Sequence, residues 1–392
     1  MLQKEKIEQA IAKLQDLDID MWITSGRETG MNNDPILPFI STIDYTALMA
    51  IIITRTGHSV ALVGHNDEEG AKQVNLYDEV HGYDTNFDIE FLNMIKRFRP
   101  AKVALNYSDF DVAADGLSHG LYLRISKMIH SAQIDTIIVS AEEIARTLRG
   151  KKTESEKQRI LKAINTTQKI YDDARAFIKA GVTEKDIFNF FQERMQYYGV
   201  TPGWEPSQCP GVMVGTASVV GHNAPTDIIV KKGDVITVDF GVRENGYCSD
   251  MQRVFYILKD GETEAPDVLN KALKAIQGGI RNAAKAMIPG SKVYHVDAAA
   301  RNYIMAQGFP SWNYALGHEI GRFAHDGGLL LAPKWERYEK TMLEKLIEEG
   351  MMFTLEPGIK TEYGFVGQEE VAYVGEDGGV ILSEQQKNIY LS

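Results

Sequence analysis

Short apolar runs separated by amphipathic segments dominate the first 150 residues. Ile7, Ile11 and Leu14 recur at helical spacing, which predicts an amphipathic helix at the start of the chain. Five β-branched runs follow, with helical patterns between several of them, and this alternation predicts a small α/β domain with a mixed sheet. The predicted strands are Met21–Thr24, Leu48–Thr54, Val60–Val63, Val103–Leu105 and Thr136–Val139.

The pattern changes just after Gly150, where a short predicted helix ends. Thr153 and Glu156 then form a capping box that opens a longer helix. A chain of 392 residues is too long for one ordinary core. We therefore expect an α/β domain over residues 1–150 and a second domain over residues 151–392.

The second domain shows a coarse repeat, in which a pair of helices is followed by antiparallel strands and the arrangement then recurs. Strands are predicted across 211–256 and again across 313–375. Two such halves suggest an α+β domain with a pseudo-two-fold axis and a site at the seam. The helices are predicted near 153–180 and 184–198 in the first half, and near 267–287 and 293–307 in the second.

Two acidic residues in the first half are predicted to share one face of a hairpin. An Asn245-Gly246 turn is a strong hairpin signal, and it places Gly241 opposite Asp250. Asp239 then lies on the same face as Asp250, with Cα atoms roughly 7–8 Å apart. Like charges this close repel unless a cation lies between them, and two divalent ions would use both acids. An isolated pair of this kind is more often an ordinary hairpin surface, so further ligands are needed.

The second half supplies candidate ligands. His318 lies between glycines, with His325 seven residues later, and Glu356 ends a predicted strand before a Pro-Gly turn. Glu369 and Glu370 begin an apolar strand, where charges are costly unless paired or metal-bound. With the two aspartates, these residues form an oxygen-rich set with one nitrogen. Such a set suits Mn, Co, Zn or Fe better than a structural zinc, which prefers thiolates.

The order of the motifs VDFG, SDMQR, GHEIG, FTLEPG and EE resembles the pita-bread metallopeptidases, the group of methionine aminopeptidase, aminopeptidase P and prolidase. The eleven-residue step from Asp239 to Asp250 and the seven-residue step from His318 to His325 both match. The resemblance covers about residues 153–380. The first domain resembles the N-terminal domain shared by aminopeptidase P, prolidase and creatinase.

The resemblance implies a ligand set for two divalent metal ions. Asp239 would bind one ion, and His318 and Glu356 would bind the other. Asp250 and Glu369 would bridge both. The register against the following strand favours Glu369 over its neighbour as the bridging acid.

The resemblance also implies the catalytic and substrate-binding residues. Two metal ions lower the pKa of an attacking water, and Glu356 would act as its general base. His222 and His325 match substrate histidines of the family and would hydrogen-bond the tetrahedral intermediate and the scissile nitrogen. The free α-amine of a peptide would bind near Asp239 and its ion, which restricts cleavage to the N-terminal residue.

These roles predict a metal-dependent aminopeptidase or dipeptidase of the Xaa-Pro peptidase type, acting on small peptides. A different reaction on the same fold is the alternative, either a creatinase-like hydrolase or a metal-dependent lyase acting on a small metabolite. A non-catalytic binding module is a third class, but such relatives tend to lose ligands and this chain keeps all five.

Several positions depart from the family pattern, and we expect them to lie where the substrate binds. Tyr314 replaces a histidine that aminopeptidase P relatives often carry, and it remains a candidate substrate contact. The arginine common before the bridging glutamate is absent. We therefore predict weak or altered activity on Xaa-Pro peptides. The departures are Tyr314, Glu319, Asp326–Gly328 and Gly367–Gln368.

The overall composition excludes other classes. A net charge of -12 with no lysine or arginine cluster argues against a nucleic-acid surface. No apolar run reaches the length of a membrane span or resembles a signal peptide. Cys209 and Cys248 are the only cysteines, so no disulfide framework is expected and a reducing cytoplasm is the simplest location. A homodimer is implied by the resemblance alone.

Overall fold

The computed structural model describes residues 1–221 and 223–392. The chain divides into two compact units, Met1–Arg149 and Gly150–Ser392. Among the described residues, no helix combines the length and the apolar character needed to cross a bilayer.

The first unit is a six-stranded mixed sheet with the strand order β4-β3-β2-β1-β5-β6. The first three strands pair antiparallel with one another, and the outer strands join them in parallel. Apolar clusters cover both faces of the sheet, which explains why its central strands are buried along their whole length. The predicted mixed α/β architecture is therefore confirmed. The elements are α1 (Leu2–Asp16), β1 (Met21–Gly26), α2 (Leu37–Ile40), β2 (Met49–Thr54), β3 (Ser59–Gly64), α3 (His65–Gln73), β4 (Glu79–Tyr83), α4 (Phe87–Phe98), β5 (Lys102–Leu105), α5 (His119–Ser131), β6 (Ile137–Ser140) and α6 (Glu142–Gly150).

The second unit begins with two helices that are followed by antiparallel strands. Thr153 and Glu156 cap the first helix as predicted, each side chain bonding the other's backbone N–H. Tyr171 on this helix is buried, and its hydroxyl group contacts the carbonyl oxygens of Val238 and Met251 at 2.9 and 2.7 Å. That contact ties the helix to two adjacent strands. The elements are α7 (Glu154–Phe177), α8 (Glu184–Tyr198), β7 (Thr201–Pro202), β8 (Gly211–Val214), β9 (Val235–Phe240), β10 (Val242–Glu244), β11 (Tyr247–Cys248) and β12 (Met251–Tyr256).

The remainder of the second unit repeats the order of a helical pair followed by strands. The two helices pack on the strands through a large apolar cluster that includes Leu269, Ile276 and Phe353. The predicted α+β arrangement of this unit is confirmed. The elements are α9 (Asp267–Ala286), α10 (Val293–Ala306), β13 (Gly317–His318), β14 (Leu330–Leu331), α11 (Lys340–Leu343), β15 (Met352–Leu355), β16 (Gly358–Thr361), β17 (Gly364–Gly367), β18 (Glu370–Gly375), β19 (Gly378–Ile381) and β20 (Tyr390–Leu391).

The hairpin of the first half has the predicted register. Asn245 and Gly246 both have positive φ angles, 50° and 79°, as a tight hairpin turn with right-handed strand twist requires. Glu244 pairs with Tyr247, and β9 pairs with β12 in the same register. At Gly241 the opposing strand comes so close that a Cβ would clash with the carbonyl of Ser249. Only glycine fits there.

Candidate metal centre

Five strand ends bring the predicted ligands together. Asp239 lies in β9 and Asp250 immediately precedes β12, so the hairpin carries both aspartates. His318 ends β13, Glu356 directly follows β15 and Glu369 directly precedes β18. Side chains at strand ends are held by the sheet and still face an open edge.

The imidazole of His318 stands among carboxylates. Its Nε2 atom lies 3.7 Å from Asp250 Oδ2 and 3.6 Å from Glu356 Oε1. Ligand atoms of Asp250, His318 and Glu369 all lie within 4.8 Å of one another. His318 and Asp250 are nearly buried, while the side chain of Glu356 is 21 % exposed. Glu356 is therefore the member of this contact that solvent or a ligand reaches.

Asp239 joins the same group from the neighbouring strand. Its backbone pairs with Gln252, and its carboxyl group interacts with that of Asp250. Burial raises the pKa of Asp239 from 3.8 to about 7. Burial also raises the pKa of Asp250 well above its ordinary value, with the charges of Asp239 and Glu356 acting in the same direction.

The two glutamates show the same effect. Burial raises the pKa of Glu356 well above its usual range, and Asp239 adds to the shift. Burial is also the main cause that raises the pKa of Glu369, and repulsion from Asp250 and Glu356 raises it further. Four carboxylic acids that shift one another in this way cannot all ionise without a compensating cation.

Several carboxylate oxygens of the cluster lack hydrogen-bond donors, and this shows whether the cluster suits a metal ion. Asp239 Oδ1, Asp250 Oδ1 and Glu369 Oε1 are buried and have no hydrogen-bond partner among the described residues. Buried carboxylate oxygens without donors are costly, and native proteins rarely leave them so. A set of four carboxylates and one imidazole is the donor chemistry of Mn, Fe, Co or Zn ions. The residues therefore fit divalent metal ions.

The other predicted site residues lie around this cluster. The ring of His325 stacks on that of His318, and His325 is exposed. Burial raises the pKa of Tyr314 well above 10, and the charges of Glu356, Glu369 and Asp239 add to the shift. His222 lies outside the described residues.

Two departures from the family pattern are buried side chains that interact with other parts of the same protein domain. Asp326 forms an ion pair with Lys152 at 3.7 Å, and both side chains are almost completely buried. Glu319 is also buried, and its Oε1 accepts a hydrogen bond from the backbone N–H of Leu329. A Cβ at Gly328 would clash with this carboxylate at 2.6 Å. These side chains hold the loop that carries the exposed histidine.

Arg253 is a residue that sequence reasoning missed, and it separates the two adjacent glutamates. Its guanidinium is fully buried and donates to both carboxylate oxygens of Glu370 at 3.2 Å. It also donates to the backbone carbonyl of Glu369 at 3.0 Å. Ser383 and Gln368 bond the Glu370 carboxylate as well. The side chain of Glu370 is thus occupied away from the cluster.

The two faces of β12 could have indicated from the sequence that Arg253 pairs with Glu370. Asp250 and Gln252 share one face of the strand, and Met251 and Arg253 share the other. A buried arginine in an apolar strand requires a carboxylate partner, and the second acid of the Glu-Glu pair is that partner. The signal was present in the sequence, but it needed the pairing of two segments more than 100 residues apart.

This fold and cluster define the pita-bread class of metalloproteins. Residues 158–383, more than half of the chain, match the sequence profile of metallopeptidase family M24. The chain belongs to this family, which confirms the resemblance drawn from the motifs. M24 enzymes use divalent metal ions and act on peptides.

Relatives and solved structures align over nearly the whole chain. An uncharacterized peptidase of Staphylococcus aureus is 26% identical over 392 residues, covering 97% of this chain and 99% of the relative. The X-Pro aminopeptidase from Thermotoga maritima superposes with a TM-score of 0.73 at 23% identity, covering 97% of this chain and 100% of that one. The Xaa-Pro dipeptidase from Bacillus anthracis superposes with a TM-score of 0.74 at 22% identity, covering 100% of both chains. At these identities the two structures show the shared fold.

Proposed function

We propose that this protein is a two-metal exopeptidase that hydrolyses the N-terminal peptide bond of small peptides. The observation that carries the proposal is a cluster in which Asp250, Glu356 and Glu369 surround His318 and Asp239 adjoins Asp250, with three buried oxygens that lack hydrogen-bond donors. Membership of the M24 family supports a peptidase. The names of the X-Pro aminopeptidase and Xaa-Pro dipeptidase that share the fold support the Xaa-Pro peptidase type.

The ligand set follows from the positions in the cluster. Asp239 would hold one ion, while His318 and Glu356 would hold the other. Asp250 and Glu369 would serve both. This assignment is supported by the position of Asp250, which contacts Asp239 on one side and His318 on the other. The ions belong to the group Mn, Co, Zn or Fe, because the donors are mainly oxygen.

When bound, the ions supply Lewis acidity and lower the pKa of the attacking water. Glu356 would take the proton from that water, and its place in the cluster together with its partial exposure to solvent supports this role. The same carboxyl group would then give the proton to the leaving nitrogen. Without that transfer an amine is a poor leaving group.

The groups around the cluster bind the substrate. His325 would donate a hydrogen bond to the oxygen that gains negative charge as the carbonyl is attacked. His222 would form a hydrogen bond at the nitrogen of the scissile peptide bond, as the resemblance implies. Tyr314 stays neutral because its pKa lies well above 10, so it offers a hydroxyl donor and no cation. The free α-amine near Asp239 would restrict cleavage to the first residue.

The remaining proposals rest on the resemblance. Residues 1–150 would form a creatinase-type N-terminal domain and residues 151–392 the catalytic domain. A homodimer is expected from the resemblance alone. A reducing cytoplasm would agree with the two buried cysteines, Cys209 and Cys248, which form no disulfide.

Peptide hydrolysis with defined metals tests the function. The purified protein is stripped with a chelator, reloaded with Mn, Co or Zn, and supplied with Ala-Ala-X, Ala-Pro-X and X-Pro peptides. We expect release of the N-terminal residue only after reloading. Internal cleavage, or full activity in the stripped protein, would contradict a metal-dependent exopeptidase. Turnover of a small amidine with no peptide cleaved would favour the creatinase-like alternative.

A further inference from the structure

Gln252 lies in the middle of the acidic cluster. On β12 it pairs with Asp239 on one side, and it forms a bridge with Glu369 on the other. It follows Asp250 by two residues and so points to the same face of the strand. Its side chain is 5 % exposed. A neutral amide is therefore surrounded by three of the four carboxylates.

The two ends of this amide have different surroundings. The backbone bridge between Gln252 and Glu369 brings the amide beside the Glu369 carboxyl group, and the amide lowers the pKa of that group. An N–H donor has this effect on a carboxyl group, so we assign the amide nitrogen to the Glu369 side. The amide oxygen, about 2.2 Å from that nitrogen, is buried and has no hydrogen-bond partner among residues 1–221 and 223–392. The Nε2 donor of Gln252 is thus directed to Glu369, while its Oε1 acceptor beside the cluster has no donor.

The open acceptor depends on Gly367. A Cβ at Gly367 would clash with Gln252 Oε1 and with the ring of Phe365. The resemblance leads us to expect an arginine just before the bridging glutamate, and this chain has glycine and glutamine there. The amide oxygen of Gln252 therefore occupies a region from which a cationic side chain is missing.

The surroundings determine which donor suits this oxygen. A buried carbonyl needs an N–H or O–H donor, and neighbouring carboxylates favour a donor that carries positive charge. An α-amino group has N–H donors whether or not it is protonated. We infer that Gln252 recognises the free N-terminus of the substrate, its Oε1 accepting a hydrogen bond from the α-amino group while its Nε2 holds Glu369.

This inference rests on the proposed exopeptidase function and names the group that selects for a free N-terminus. It makes Gln252 a specificity residue that touches the substrate. A role confined to supporting Glu369 would affect all ligands equally. A contact with the amine affects only ligands that carry one, and this difference can be measured.

The test uses two ligands that cannot be hydrolysed. One is the ketomethylene isostere of Ala-Ala, and the other is the same molecule with hydrogen in place of the α-amino group. Their dissociation constants are measured by calorimetry on the manganese-loaded protein, with metal content checked in every sample. The variants are Gln252→Met, which removes the acceptor at similar length, and Gln252→Glu, which keeps an acceptor oxygen. Gln252→Leu replaces the methionine variant if that one fails to fold.

The matched control is Gln277→Met. Gln277 is a half-buried glutamine of α9 whose amide nitrogen donates to the backbone carbonyl of Gln386 at 2.7 Å. We expect wild type, Gln277→Met and Gln252→Glu to prefer the ligand with the amine. Gln252→Met should bind that ligand about 10-fold to 100-fold more weakly, the range for a hydrogen bond to a charged group. Its affinity for the ligand without the amine should not change.

The other outcomes overturn the inference. If Gln252→Met binds both ligands more weakly by the same factor, Gln252 only supports Glu369. If Gln252→Met binds both ligands as tightly as wild type does, Gln252 does not contact the ligand. Wild-type protein that binds neither ligand, or binds both equally, would also refute recognition of the amine. The amine preference with no hydrolysis of any peptide would refute the proposed exopeptidase activity and leave the role of Gln252 standing.

Discussion

The imidazole ring of His325 stacks on that of His318, with ring centroids 3.9 Å apart and planes inclined by 18°. One ring is buried among carboxylates and the other is exposed. The buried Lys152–Asp326 ion pair holds the next residue of the loop. The exposed histidine is thereby fixed against a metal-ligand candidate without entering the cluster.

This stacking predicts the effect of His325→Ala. We expect kcat and kcat/KM to fall together by about 10²-fold to 10³-fold, the usual loss for one donor to a developing oxyanion. Metal content should stay at the wild-type level, as measured by elemental analysis. His295→Ala, at an exposed position of α10, is the control. Loss of metal from the His325 variant would mean that His325 is a ligand.

Asp250→Asn should weaken binding of both ions, because Asp250 contacts the Asp239 side and the His318 side of the cluster. We expect about two divalent ions per chain in wild type, the number of a two-metal site, and loss of most of both in the variant. Elemental analysis after gel filtration measures this. Glu362→Gln, an exposed acid in the turn after β16, should keep both ions. Loss of a single ion would exclude a bridging role for Asp250.

Stability of the metal-free protein should fall as pH rises. The pKa of Asp239 is 3.8 when unfolded and about 7 when folded, so the folded state binds its proton more tightly. The protonated Asp239 side chain therefore stabilises the folded state fully below pH 4, and this stabilisation is lost as the pH rises to about 7. The free energy of unfolding falls by about 1.4 kcal/mol per unit of pKa difference. Thermal unfolding across this range measures the loss. Asp239→Asn should reduce the slope of the profile, while Asp250, Glu356 and Glu369, whose pKa values are also raised, keep part of it. Loading with metal should remove the pH dependence. A metal-free Tm that rises steadily from pH 4 to 7 would contradict this electrostatic account.

Glu356→Gln should fold normally and lose activity by about 10²-fold to 10⁴-fold, because the amide cannot accept the proton from water. Gln is also a poorer metal ligand, so metal content is measured with the rate. Circular dichroism and thermal unfolding establish that the fold is kept. Wild-type kcat with full metal would remove Glu356 from the mechanism.

Xaa-Pro dipeptides should be cleaved weakly. The family arginine is absent at Gly367–Gln368, so a fixed cation that could bind a substrate carboxylate is missing. Tyr314 supplies a neutral hydroxyl in place of a histidine. Steady-state rates on X-Pro and Ala-Pro-X peptides test this expectation. Turnover of X-Pro at about 10 s⁻¹ or faster, typical of efficient enzymes, would show that these replacements are neutral.

Local signals were sufficient for part of the site. The register that aligns Asp239 with Asp250 follows from the Asn245-Gly246 turn, because a two-residue turn fixes the pairing of both strands. The helix start at Thr153 follows from its capping box. In both cases the decisive interactions lie within a few residues of one another or across a single turn.

Contacts between distant segments were not predictable in the same way. The ion pair between Lys152 and Asp326 joins two residues that are far apart in the sequence, and no local pattern around either residue predicts its partner. The open acceptor of Gln252 depends on the absence of a side chain at Gly367. Such features arise only when the sheets are assembled, since no local pattern encodes them.

The buried bond between Arg253 and Glu370 has a consequence for electroneutrality. An arginine keeps its charge at every pH at which the protein is folded, so it balances the charge of Glu370 whenever that carboxyl group is ionised. The acids left to the ions are Asp239, Asp250, Glu356 and Glu369, with a formal charge of minus four when ionised. The two divalent ions proposed for this site would carry plus four. The four carboxylates would then balance the two ions, before any water or substrate binds.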